Sequence, residues 1–92
     1  MMIPKFSLGC LIATPGALRA IREAGSIPLE FLTRHQQGDW GDLSDRDYLE
    51  NEWSIGNGCR LLSAYHLNDG TKIWVITEAD RSATTILLPE EY

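Results

Sequence analysis

The sequence predicts an α+β domain in which two to three N-terminal helices pack on one face of a three- to four-stranded, mainly antiparallel sheet ending in a C-terminal meander. From Thr14 as far as Gly58 apolar residues follow a helical period, with capping and stop residues, and from Cys59 the period shortens to that of a strand. Two β-rich runs flank Asn68-Asp69-Gly70, the composition of a hairpin turn. Helical runs come first and strands last, without the alternation that a parallel βαβ sheet requires. The 92 residues leave room for one domain, 1–92, since domains commonly need about 100 residues.

Residues 6–13 are apolar, short and interrupted by Gly9, which suits a first strand entered after Pro4. Thr14-Pro15 starts a helix, because the threonine hydroxyl can accept from an orphan amide and proline at the first helical position gives up an N–H that has no partner there. Ala17, Leu18, Ile21 and Ala24 then share one face, with Arg19, Arg22 and Glu23 on the other, until Gly25 stops the helix. A second helix restarts around Pro28 with Ser26 or Ile27 as cap, turns Phe31 and Leu32 inward and ends near His35 or Gln37. Ser44 caps a third, with Asp45 and Asp47 in its positive first turn; it runs through Tyr48, Leu49, Glu52 and Trp53 to Ile55 and stops at Gly56-Asn57-Gly58. The stripe of Tyr48, Leu49, Glu52 and Trp53 is mixed, so part of this helix is expected to face a groove. Residues 60–67 and 71–77 read as a hairpin whose Asp69-Gly70 turn supplies positive φ values, and residues 83–88 as a third strand that Pro89 ends.

Thirteen acids against eight bases give a formal charge of −5, and an acidic surface repels phosphates. Nucleic acid is therefore not expected as the main partner. Cys10 and Cys59 lack CxxC spacing and sit beside apolar residues, which points to reduced, buried thiols and a cytoplasmic protein. The start of the chain has too short an apolar run for a signal peptide, and no run approaches the roughly 20 residues of a membrane span, so no membrane partner is expected.

Chemistry is densest in Arg34-His35-Gln36-Gln37-Gly38-Asp39-Trp40-Gly41-Asp42. A structural role would have Asp39 and Asp42 cap the turn and the next helix while Trp40 plugs the core. In that role the segment packs against the 78–82 connector, Asp39 or Asp42 accepts hydrogen bonds from Arg81 or Arg60, and Glu78, Asp80 and Arg81 form an ionic cluster. As a binding surface the same loop would present Arg34, His35, Asp39, Trp40 and Asp42. His35 and Asp39, with Asp42 or His66, are fewer convergent ligands than a metal site usually shows, so neither a metal nor another cofactor is expected. An enzymatic alternative is a metal-independent RNase-like toxin in which His35 moves the 2′-OH proton and Arg60, Ser63, Arg81 and Thr85 hold the phosphate and its surroundings.

Thr14-Pro15-Gly16-Ala17-Leu18, Arg34-His35 with Gly38-Asp39-Trp40-Gly41, Asn51-Glu52, Gly58 with Arg60, Ser63 and Tyr65, Trp74, residues 77–82, Thr84-Thr85 and residues 87–92 together resemble a family of small bacterial proteins of chromosomes, plasmids and other mobile elements. Its members are sometimes labelled plasmid-related protein or type I restriction methylase subunit. The resemblance spans nearly the whole chain and implies no particular activity. A methylase is not supported here, since the sequence has no glycine-rich cofactor loop after a strand and lacks a methyltransferase's length. The expected function is a non-enzymatic protein-interaction or regulatory module. Its partner would be another protein or a second copy in a homo-oligomer, and Trp40, Trp53, Tyr48 and Tyr92 are candidate interface anchors. Besides the toxin, a third reading is an acidic inhibitor of a host defence nuclease, using Asp39, Asp42, Asp45 and Asp47 in place of phosphates.

Overall fold

A computed structural model describes residues 3–92. Among them the chain forms β1 (Cys10–Ala13), α1 (Pro15–Glu23), α2 (Pro28–Gln36), α3 (Asp45–Asn57), β2 (Leu61–His66), β3 (Lys72–Thr77), β4 (Ala83–Leu87) and a terminal 3₁₀ turn, Pro89–Glu91. The local start signals act as their chemistry dictates. Thr14 Oγ1 accepts the Ala17 N–H at 3.1 Å, and Ser44 Oγ accepts that of Asp47 at 3.2 Å. Ile27 occupies the cap of α2 without a side-chain bond, so that helix rests on Pro28 and on packing.

The four strands lie in the order β1-β4-β3-β2. β2, β3 and β4 form the expected antiparallel meander, and β1 joins its far edge parallel to β4, with Leu11 opposite Thr84 and Ala13 opposite Ile86. β1 is shorter than residues 6–13 because the chain before it crosses to α2: the Lys5 N–H bonds the Gln36 carbonyl at 2.9 Å, and Gln36 Nε2 bonds that of Phe6 at 2.8 Å. The β2–β3 turn also differs in detail. Of Asp69 and Gly70, Gly70 alone has positive φ, +89°; the Gly70 N–H bonds Leu67 O at 2.9 Å and the Leu67 N–H bonds Thr71 O at 2.8 Å. This is a three-residue loop closed by a glycine bulge rather than a two-residue turn with both φ values positive.

One sheet face carries Tyr65, Ile73, Val75 and Ile86, which pack with Ala17 and Ile21 of α1 and Phe31 and Leu32 of α2. Each buried Ile, Val, Leu or Phe of this layer contributes about 1.5–3 kcal/mol. Leu18, expected on that inward face, is instead exposed. The thiols are free as expected but not buried: Cys10 is exposed because β1 is an edge strand, and Cys59 is half-buried in the turn after α3. No helix among the described residues is long and apolar enough to cross a membrane.

Candidate functional site

The 34–42 segment leaves α2 and runs along the outer edge of β2. Its bend is locked by its own side chains: Arg34 Nε donates to Asp39 Oδ2 at 2.7 Å, the Arg34 guanidinium lies 4.4 Å from the centre of the Tyr65 ring, and Asp39 Oδ1 accepts the Gly41 N–H at 3.3 Å. The main chain then pairs with the sheet, the Ala64 N–H bonding Trp40 O at 3.0 Å and the Asp42 N–H bonding Ala64 O at 2.6 Å. Gly41, at φ +77°, is required at this contact, since a Cβ there would lie 2.1 Å from the Ala64 oxygen. Trp40 is fully buried as expected, stacked on Phe6, edge-on to His35, and donating from Nε1 to Glu52 at 2.8 Å. It plugs the molecule and cannot serve as an interface anchor.

His35 is also fully buried. Its Nδ1 lies 2.5 Å from Ser63 Oγ and its Nε2 2.9 Å from Thr77 Oγ1; Thr77 Oγ1 is 2.7 Å from Thr84 Oγ1, which bonds the Leu8 carbonyl at 2.7 Å. Counting protons orders the chain. Thr84 spends its only proton on Leu8, so Thr77 donates to Thr84, and Thr77 therefore accepts from a His35 that carries its proton on Nε2. Ser63 then donates to Nδ1. Burial, aided by the Arg81 guanidinium, holds the His35 pKa down at about 3, so the ring is a neutral structural bridge.

The remaining residues of the RNase-like set do not converge on it. Thr85 pairs in register with Ile12 and Ile76 and alternates with Thr84, which places it on the sheet face away from His35 and Ser63. Arg60 bonds the Tyr92 hydroxyl, with its guanidinium 5.5 Å from the Tyr92 ring centre, and Tyr92 in turn meets Trp74 edge-on. Arg81, at the left-handed φ of 61°, donates to the carbonyls of Cys59 at 2.6 Å, Ser54 at 2.9 Å, Ala79 at 3.1 Å and Glu78 at 3.2 Å. It ties the end of α3 to the β3–β4 connector. The expected bridges from Asp39 or Asp42 to Arg60 or Arg81 are thus replaced. Asp39 takes Arg34, Asp42 lies 3.2 Å from His66 Nδ1, and Asp80 accepts the Ser82 N–H instead of joining an ionic cluster. Among the described residues no three His, Cys, Asp or Glu side chains are grouped to hold a metal.

α3 shows what the sequence reading missed. Its buried residues are Asn51 and Ser54, whereas Leu49 and Trp53, one turn apart, are 70% and 61% exposed, with Tyr48 beside them. The inward polar face serves the sheet edge: Asn51 Nδ2 donates to Leu62 O at 2.7 Å and Asn51 Oδ1 accepts the Leu62 N–H at 3.2 Å. Beside it lies a small cavity of about 190 Å³ lined by Leu43, Asp47, Glu50, Asn51, Arg60 and Leu62, so the groove is on the polar side and the apolar stripe faces solvent. The i, i+4 spacing of Leu49 and Trp53 was a signal for one face, but not for its direction. Comparison with protein-family models, with curated proteins and with solved structures found no match.

Proposed function

We propose that the chain is a non-enzymatic protein-binding module, carried by bacteria or their mobile elements as the resemblance implies, whose contact surface is the outer face of α3. The observation that supports this is the inversion of α3, which buries Asn51 and Ser54 and leaves Leu49 and Trp53 in water. Exposing a tryptophan and a leucine side by side has no benefit for the isolated fold, and tryptophan is among the residues that dominate interface energetics. The charges near these side chains are already paired, Arg46 with Glu50 at 3.6 Å and Lys5 with Glu52 at 3.8 Å, so the matching partner surface is an apolar pocket rather than a charged one. With His35 and Ser63 buried and Thr85 on the other sheet face, the residues named for RNA cleavage offer no common concavity to a phosphate.

The test compares wild type with Leu49→Ala and Trp53→Ala as immobilised baits in a bacterial lysate. Exposed positions of this kind change stability by less than about 0.5 kcal/mol, so both variants should melt as wild type does. A partner captured by wild type and lost from both variants is the expected result. Equal capture by all three baits, or capture reduced by salt alone as for a phosphate mimic, would sink this surface.

A further inference from the structure

The sheet's two edges are treated differently. Along β2, the Asn51 amide satisfies the main chain of Leu62, and Trp40 and Asp42 satisfy that of Ala64. At the other edge, the Cys10 and Thr14 N–H groups bond Ser82 O at 2.9 Å and Ile86 O at 3.0 Å. By the alternation of a parallel ladder, Leu11 and Ala13 therefore aim their N–H and C=O groups away from the sheet. Among the described residues no other segment bonds them. Their surroundings are apolar, with Leu11 56% and Ile12 48% exposed. Although β1 has only four residues, Cys10–Ala13 contains no lysine, no proline and no inward charge, three of the devices that usually keep an edge from pairing with another chain.

We propose that β1 pairs antiparallel with β1 of a second copy across a two-fold axis, joining two four-stranded sheets into one continuous sheet. The closed β2 edge selects the partner. Another copy has only its own β1 edge to offer, and an edge that meets itself closes as a dimer, whereas a head-to-tail contact would need an open β2 and would propagate. Charge is compatible with the same face: the chain carries −5, but Cys10–Ala13 carries none, so the paired strands themselves place no like charges opposite one another. The free groups of Leu11 and Ala13 fix the register. Leu11 pairs with Ala13 of the partner subunit through hydrogen bonds, and the two Ile12 side chains stand together at the axis in the non-bonded position, where Cβ atoms come closest. So short a strand buries less than a standard interface, which makes the dimer concentration-dependent.

Sedimentation velocity of the intact protein over a concentration series, with Leu11→Pro, Leu11→Lys and Trp53→Ala alongside, tests the pairing. Leu11→Pro removes an N–H that the monomer does not use, and Leu11→Lys places two charges at the seam. Wild type and Trp53→Ala should show a reversible monomer–dimer equilibrium, and each Leu11 variant that folds should associate at least about tenfold more weakly. In a Cys10→Ser, Cys59→Ser background, Ile12→Cys should oxidise to a covalent dimer and to nothing larger. Monomer at every concentration overturns the proposal. So does a dimer that survives Leu11→Lys, or one lost in Trp53→Ala, which would assign self-association to α3.

Discussion

Neutral His35 has one donor and one acceptor, and both are taken by hydroxyls that are themselves buried. That arrangement fixes a pH dependence. The pKa is about 3 in the folded chain against the ordinary 6.5, so between those values the unfolded state binds a proton that the native state refuses. Stability from this residue is complete above 6.5 and is lost as pH falls toward about 3. Urea unfolding across this window should show the decline, and His35→Gln should flatten it while costing about 1–3 kcal/mol at neutral pH through imperfect pairing of Ser63 and Thr77. An unchanged slope in the variant would contradict the neutral bridge. Histidine ¹⁵N shifts supply a direct reading, with His35 expected as the Nε2-protonated tautomer. None of this was legible from Arg34-His35 in the sequence, where a histidine beside charged residues looks like surface chemistry. The partners that bury it, Ser63 and Thr77, lie on strands far along the chain.

Elements were legible where their determinants are local. Thr14 and Ser44 cap, Gly25 and Gly58 follow helix ends, and the run around Asp69-Gly70 makes a hairpin, because in each case the interacting groups are a few residues apart. The packing of α3 was not legible, because the partner of Asn51 is a main-chain edge rather than a side chain and leaves no apolar stripe to read. Its two bonds to Leu62 imitate a neighbouring strand, and removing them should strand one donor and one acceptor at the sheet edge. Asn51→Ala is expected to cost about 1–3 kcal/mol. Hydrogen exchange locates the loss. The Leu62 amide, protected in wild type although β2 is an edge strand, should exchange much faster in the variant while Val75 in the central β3 stays protected. Parallel loss of protection at both amides would mean that Asn51 supports the whole sheet rather than its edge.

At the scale of the molecule the two ends of the chain stabilise each other. β1 lies against β4, Thr84 bonds Leu8, and the Thr14 hydroxyl donates to Glu91 Oε1 at 2.6 Å, an oxygen that also accepts the Leu88 N–H at 2.8 Å. The α+β class could be read from the order of helices and strands, but this closure could not, since β1 carries no local signal for a parallel partner at the far end of the sequence. It gives the terminal 3₁₀ turn a role out of proportion to its size. Tyr92 meets the Trp74 ring and accepts from Arg60, while Glu91 braces the residue that links β1 to α1. Deleting residues 89–92 should therefore loosen two sites at once. Uncovering Trp74 forfeits roughly 0.5–1.5 kcal/mol of aromatic contact beyond the area it buries, and its fluorescence should shift to the red. Loss of Glu91 should speed exchange of the Ile12 amide, which belongs to β1, while Tyr65 and Ile73 in the core keep their protection. The melting temperature should fall with one cooperative transition retained. A truncated chain that melts with wild type, or that loosens β1 without any change at Trp74, would show that the C-terminal turn is not the brace joining the two ends.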